Sequence, residues 1–207
     1  MSSQIALPIT RGPEADPARI VVGSANAHIA EALAQPDRWP FRTAVLTGPA
    51  RSGKSLLARW FALSGKGEAA DDALPCAEVA EADLFHRWNR AQESGTPLLI
   101  VASEGPSAIA LPDLRSRLGA ALHLEIGLPD DAMAQDLVLA MAEQRGLTLG
   151  EEAATYLVPR AERSFAQLEK LVDAVDRLSL ERKAPPTLAI WRAALEAVEG
   201  PRAPTLL

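Results

Sequence analysis

The stretch that most constrains this chain is Gly48-Pro49-Ala50-Arg51-Ser52-Gly53-Lys54-Ser55, which fills every fixed position of the pattern G-x-x-x-x-G-K-[ST]. It follows a compact apolar run from Thr43 to Thr47 and leads into a helical stretch from about Ser55 to Leu63. Strand, glycine-rich turn and helix in that order make a phosphate cradle. Glycines let the backbone wrap closely enough for successive amides to point at phosphate oxygens, the helix contributes its positive end, and Lys54 reaches the outer phosphates. Ser55 is placed to ligate magnesium, and the cradle extends through Leu56. With glycine at about 7% of residues, chance places this pattern somewhere in a chain of this length about once in a hundred. The expected ligand is ADP or ATP, with magnesium.

The remainder of the chain suits a soluble nucleotide-binding protein. Of its 207 residues 48% are hydrophobic and 23% charged, the balance of an ordinary globular domain. The longest strongly apolar run, Leu98 to Ala102, falls far short of the roughly 20 residues that cross a bilayer. No basic region opens the chain, so no signal peptide is expected. A single cysteine, Cys76, cannot close an internal disulfide and has no zinc-spaced partners, which points to a reducing cytoplasm. The net charge of −6 argues against a protein whose task is to coat a phosphate backbone.

Residues 1–18, with Pro8, Gly12, Pro13 and Pro17, read as a flexible arm. An α/β nucleotide-binding domain is expected over 19–128. Within it Ser24 and Asn26 can cap a short helix through Ala34, and a helix runs from about Asp83 to Ser94 with Leu84, Phe85 and Trp88 at helical spacing, closed by Gly95. Leu98 to Val101 suits a strand buried on both faces, Leu111 to Ala121 a helix, and Leu122, Leu124 and Ile126 a strand that alternates with His123 and Glu125. Alternating strands and helices imply a mostly parallel sheet with helical crossovers. After Pro129 everything reads as helix: a stretch capped by Asp130 or Asp131 with Met133, Leu137 and Met141 on one face, a short helix near Glu151 to Val158, an apolar stripe from Phe165 to Leu178, and a last helix from Thr187 to Val198. A small all-helical lid domain is expected over 129–207.

Hydrolysis would also need an acidic pair at the end of a second strand. Asp71 and Asp72 are the first candidates and Glu81 and Asp83 the second, with a solvated acidic loop as the bland alternative. Gly67-Glu68-Ala69-Ala70 has no β-branched residue, so any strand leading to Asp71 is weak.

An arm, a phosphate loop on a parallel sheet and a helical lid together resemble an AAA+ module, and several phrases resemble its DnaA branch. Ile20-Val21-Val22-Gly23-Ser24-Ala25-Asn26 is similar to the adenine-side segment of that family, and Leu84-Phe85-His86-Arg87-Trp88-Asn89 to the helix after its acidic pair. The resemblance implies that Val21 and Val22 lie beside the base, that Asp71 or Asp72 holds magnesium, that Glu104 occupies the sensor-one position and that Arg163 senses the γ-phosphate. Leu111-Pro112-Asp113-Leu114-Arg115-Ser116-Arg117-Leu118 is similar to the family's box seven, which makes Arg117 the arginine that reaches a neighbouring subunit's ATP. A surface ion pair with Asp113, one helical turn away, is the bland alternative for Arg117.

Two departures shape the expected function. The chain stops just beyond the lid, with no room for the helix-turn-helix domain that reads initiator boxes, so binding to those boxes is not expected. Fifteen residues separate Ser55 from Asp71, too few for the strand and paired helices with which initiators hold single-stranded DNA. These features resemble the short DnaA homologues of the Hda type. In the arm, Gln4-Ile5-Ala6-Leu7-Pro8-Ile9 is similar to the peptide by which replication proteins dock on the sliding clamp. An amide beside spaced apolar groups on a proline-stiffened strand can fill a preformed pocket at low entropic cost.

The resemblance thus implies a regulator that docks on the clamp and triggers ATP hydrolysis in the initiator DnaA, through Arg117. An autonomous ATPase, working as a homo-oligomer on a replication partner, and a nucleotide-free adaptor are the alternatives. His28, His86 and His123 lack ligand spacing, and Trp39, Trp60, Trp88 and Trp191 lack the surrounding basic stripe that stacking on nucleic acid requires.

Overall fold

The computed structural model describes residues 20–71, 78–103, 105 and 109–199. They divide into two compact units, one running from Asn26 to Gly127, the other joining Val21–Ala25 to Leu128 and the residues after it.

The first unit is built on four strands, β1 Thr43–Thr47, β2 Glu68–Ala70, β3 Leu98–Val101 and β4 Leu122–Glu125, with helices α1 Ala27–Ala34, α2 Lys54–Leu63, α3 Glu78–Ser94 and α4 Pro112–Gly119. The strands pair in the order β2-β3-β1-β4, all parallel. Burial explains the strand sequences. All four residues of β3 and the first four of β1 are buried, as strands covered by helices on both faces must be. At one edge, β4 keeps the expected alternation, with Leu124 buried and His123 and Glu125 exposed. At the other edge β2 has only three residues and no β-branched side chain, yet it forms because β3 offers an open edge: Ala69 registers with Leu99 and Ala70 with Ile100.

From β1 the chain crosses to the β2 edge, returns through β3 beside β1, and then passes to β4 on the opposite side. Winding reverses at β1, so the carboxyl end of β1 is the topological switch point at which such sheets bind ligands. Between α2 and β2 lie only Ser64 to Gly67, leaving no room for a further strand.

One face of the sheet, with Val45, Ala70, Leu98 and Ile100, packs on Leu84, Trp88 and Ala91 of α3 and on Leu114 and Leu118 of α4. On the α2 side, Phe61 is fully buried and lies 5.2 Å, centroid to centroid, from Trp39. Trp39 donates its indole N–H to Ala32 O at 2.9 Å, so it is a core residue with its polar end satisfied. Helix α3 begins at Glu78, five residues ahead of the expected Asp83, because Glu78, Ala80, Glu81 and Ala82 are good helix formers and Asp83 is not its cap. Helix α1 does have Asn26 at its N-cap position, but without a side-chain capping bond. Ser24 instead accepts the Asp130 N–H at 3.4 Å, within the second unit.

The second unit holds α5 Asp131–Gln144, α6 Glu151–Leu157, α7 Phe165–Arg182 and α8 Leu188–Glu199. The caps follow the sequence: Asp130 Oδ1 accepts the Met133 N–H at 2.9 Å and Ser164 Oγ the Gln167 N–H at 3.3 Å. Gly146 ends α5 at φ 69°, a conformation that glycine adopts without a Cβ penalty. Leu168, Leu171, Val172 and Val175 of α7 form the centre of this core. Against them α5 packs Ala134, Val138 and Ala142; of the residues expected on its buried face, Met133 is buried while Leu137 and Met141 are only partly covered. Beyond Met133 the buried stripe thus lies one position away from the one the largest apolar residues suggest. Gly23 presses on the same helix; a Cβ there would come within 2.7 Å of Met133 Cγ.

Leu168 is fully buried in this core and Leu180 is 70% exposed. Leu168→Ala is expected to lower unfolding free energy by about 2–5 kcal/mol, and Leu180→Ala to change it by less than about 0.5 kcal/mol, both read from urea unfolding.

Candidate phosphate site

The loop between β1 and α2 takes the backbone path its residues predict. Gly48 lies at φ 151°, and a Cβ there would come within 2.8 Å of Ile126 Cβ. Any larger residue would force the loop off the sheet. Gly53, at φ 87°, is the N-cap of α2 and makes no side-chain capping bond. A Cβ at Gly53 would meet no protein atom within 4 Å, so it is backbone conformation, and not crowding by the protein, that calls for glycine there. Arg51 also has a positive φ, 64°.

The amides of Lys54, Ser55 and Leu56 belong to the first helical turn, where no carbonyl precedes them to accept. No acidic residue stands in that turn, and the helix dipole adds partial positive charge. Lys54 is partly buried, with Nζ donating to Gly48 O at 2.9 Å and to Pro49 O at 2.8 Å. Its ammonium therefore already lies over the loop. Ser52 is buried, and its Oγ has no hydrogen-bond partner among the described residues. Uncapped amides and an orphan hydroxyl, with an ammonium held by two loop carbonyls, form a cluster of donors around a tight turn, and it fits the phosphates of a nucleotide. Lys54 would exchange loop carbonyls for phosphate oxygens, Ser55, which is exposed, would offer its hydroxyl to the accompanying magnesium, and the chain from Gly48 to Leu56 would wrap the phosphates.

The other expected residues are distributed as follows. Asp71 is exposed and follows directly on β2, which β3 separates from β1. Asp72, Glu104 and the peptide Gln4 to Ile9 lie outside the described residues, as does Cys76. In the helical unit Val21 is buried and Val22 partly so, and Arg163 Nε lies 3.0 Å from Asp131 Oδ1, both side chains more than half exposed.

Arg117 does not pair with Asp113. Its Nη1 donates to Asn89 Oδ1 at 2.6 Å, and its Cζ lies 4.7 Å from the Phe85 ring centroid and 4.5 Å from that of Trp88. Glu81, weighed as a second-choice acid for magnesium, has a different role. Its carboxylate is buried and accepts the N–H groups of Ala110 and Leu111 at 2.9 and 2.7 Å. It thereby holds the segment leading into α4. Sequence reasoning missed this pairing, although the spacing of Glu81, Phe85, Trp88 and Asn89 on one face of α3 was readable. Among the described residues, no group of three or more His, Cys, Asp or Glu residues could hold a metal ion, and no helix is long and apolar enough to cross a membrane.

Residues 131–191 match the family model for the lid domain of Hda. A DnaA chromosomal replication initiator from Roseiflexus castenholzii is 25% identical over 120 residues, 57% of this chain and 25% of the relative. Domain III of Thermotoga maritima DnaA superposes with a TM-score of 0.74 at 16% identity, over 92% of this chain and all of that one. The chain is an Hda-like, DnaA-related AAA+ protein. An uncharacterized protein of Haemophilus influenzae is 41% identical over 106 residues, 49% of this chain and 45% of that protein. The Hda-like chain therefore matches less than half the length of either curated relative. A replication initiator DnaA bound to AMPPCP and single-stranded DNA has the same fold, with a TM-score of 0.61 at 15% identity, over 83% of this chain and 68% of that one. In these Hda-like terms the parallel sheet is the AAA+ core and α5 to α8 form the lid.

Glu81→Ala would leave two amides in a buried setting without their acceptor. It is expected to cost about 3 kcal/mol of stability, with Glu81→Gln recovering part of that loss, as measured by denaturant unfolding.

Proposed function

We propose that this Hda-like protein is a nucleotide-binding regulator of replication initiation that stimulates ATP hydrolysis by the initiator DnaA. The observation that carries this reading is a phosphate loop with uncapped amides at the switch point of a DnaA-like sheet, in a chain whose lid matches that of Hda. The relative bound to AMPPCP supports the assignment of a nucleotide to the loop.

In this reading, ADP or ATP held at Gly48 to Leu56, with magnesium at Ser55 and at Asp71 or Asp72, keeps the AAA+ unit in its active shape. Its own turnover need not be fast. The arm from Gln4 to Ile9 docks on the sliding clamp, which concentrates the protein where the initiator must be switched off. Arg117 then reaches the initiator's ATP, where a planar fork of donors stabilises charge developing on the transferred phosphoryl oxygens. The protein acts in the cytoplasm and needs no sequence-specific DNA contact of its own.

The test follows labelled ATP on preloaded initiator, with clamp assembled on DNA. Wild-type protein is expected to accelerate conversion to ADP at least tenfold (~1.4 kcal/mol), and Arg117→Ala to abolish nearly all of that acceleration, since such arginines supply roughly 10³-fold or more. Gln4→Ala should weaken the clamp dependence alone. Absence of acceleration while clamp binding is intact would overturn the proposal.

A further inference from the structure

Two arginines of the helical unit converge on one tyrosine. Tyr156 lies on α6, Arg160 in the single tight turn Val158–Arg160 that follows it, and Arg192 on α8. Arg160 Cζ lies 4.1 Å from the centroid of the Tyr156 ring, and its Nη1 donates to Tyr156 O at 2.8 Å, so the guanidinium is held over the ring and tied to the end of α6. Arg192 Nε donates to the phenolic oxygen of Tyr156 at 3.3 Å. Trp191, beside Arg192 on α8, has its ring centroid 5.9 Å from that of Tyr156 and backs the cluster.

The surroundings are acidic, yet no carboxylate quenches this pair. Residues 128–199 carry thirteen Asp and Glu against eight Lys and Arg. Arg145 spends its charge on Asp173 and Glu169, and Arg163 on Asp131. Glu152, one turn ahead of Tyr156 on α6, lies instead against Gly150, where a Cβ would come within 2.4 Å of Glu152 Oε2. Neither Glu152 nor Glu196, one turn beyond Arg192 on α8, pairs with an arginine of the cluster among the described residues. With Nη1 of Arg160 committed to the main chain, Nε and Nη2 have no partner among the described residues, and theirs is the edge whose parallel donors match the two oxygens of a carboxylate. Both Nη groups of Arg192 are likewise without a protein partner among the described residues. Tyr156 Oη already accepts from Arg192, which leaves its own O–H to donate.

A planar anion with paired oxygens fits these donors. A nucleic-acid backbone does not, because it draws on many cations spread along a basic stripe, and here two stand in an acidic unit. A single carboxylate needs no more than two. Leu188 is 41% exposed and lies one turn ahead of Arg192 on α8, so the same helical face sets an apolar side chain beside the donors. We propose that Tyr156, Arg160 and Arg192 form a docking site for a carboxylate side chain on an acidic segment of a protein partner, with Leu188 covering the large apolar residue next to it. The site belongs to the helical unit alone and depends neither on a nucleotide at Gly48 to Leu56 nor on Arg117.

The test uses the full chain and a short fluorescein-labelled peptide in which Glu alternates with Leu, its carboxyl terminus amidated, followed by fluorescence anisotropy. Saturable binding to the wild type is expected, about tenfold weaker in Arg160→Gln and in Arg192→Gln, each of which removes a charged donor group. Tyr156→Phe keeps the ring under Arg160 and loses only the hydroxyl, so it should weaken binding about threefold. Lys170→Gln removes an exposed charge from α7 and should bind as the wild type does, whereas the peptide with Gln in place of Glu should not bind. Arg192→Gln should unfold at the wild-type midpoint, which separates lost docking from lost structure, and Tyr156→Phe provides a second reading with every charge in place. Absence of saturable binding by the wild type, wild-type affinity in both arginine variants, or an equal loss in Lys170→Gln would each overturn the proposal. So would a single-stranded oligothymidylate or a phosphatidylglycerol vesicle that binds more tightly than the peptide and releases in Arg192→Gln, since the ligand would then be a phosphate surface and not an acidic peptide.

Discussion

The hydrogen-bonded seating of β1 between β3 and β4 is the constraint on which the phosphate site depends. Val45 registers with Ile100 on one side and with His123 on the other, and the ladder continues beyond the strands through the Ala102 N–H to Leu46 O and the Ile126 N–H to Thr47 O, each at 2.9 Å. With both edges paired, the carboxyl end of β1 cannot drift. Gly48 leaves it in van der Waals conflict with anything larger than hydrogen at its α-carbon, so the turn hugs Ile126, and α2 starts with its amides directed back over the loop. An anion site of this kind costs little to maintain because the sheet fixes one end and the helix the other.

Helix α3 plays the corresponding part for α4. Near its carboxyl end Gln92 Nε2 donates to Phe41 O at 2.7 Å, just ahead of β1; in its middle Arg87 Nη2 donates to Ala69 O at 2.6 Å, on β2; and near its start Glu81 holds the approach to α4. One helix is thereby tied to the beginning of the central strand, to the edge strand and to the segment carrying Arg117. Two pieces of chemistry far apart in sequence, the phosphate loop and the arginine, are thus built on the same rigid sheet. That is the arrangement a protein needs if a nucleotide in its own loop is to influence what its arginine presents to a partner.

Much of this was legible in the residues. The bounds of β1 and β3 could be read directly, because a run of apolar residues next to a phosphate-loop motif, or behind Pro97, leaves few alternatives. The cap at Asp130 follows from side-chain chemistry that acts over three residues. What escaped was set by tertiary packing. Ala134, Val138 and Ala142, and not Leu137 and Met141, pack with α7 in the core of the helical unit, a preference invisible in hydrophobicity alone. An ion pair with Asp113, four residues away on its own helix, was the bland alternative for Arg117, yet α3 supplies a neutral amide and two rings from twenty-eight and more residues away in the chain. Glu81 suggested a metal ligand only so long as the amides of Ala110 and Leu111 were out of view. Local signals predicted local structure, and the long-range partners of charged groups required the fold.

The central claim is that the loop from Gly48 to Ser55 is a working nucleotide site. Its most direct test is thermal unfolding of the purified protein with and without magnesium-ADP, alongside Lys54→Ala. A ligand that binds only the folded state at a hundredfold excess over its Kd stabilises it by about 2.7 kcal/mol, so the wild-type midpoint should rise by several degrees while that of Lys54→Ala stays where it is without nucleotide. A wild-type midpoint unmoved by saturating ADP or ATP, or an equal rise in Lys54→Ala, would contradict the account.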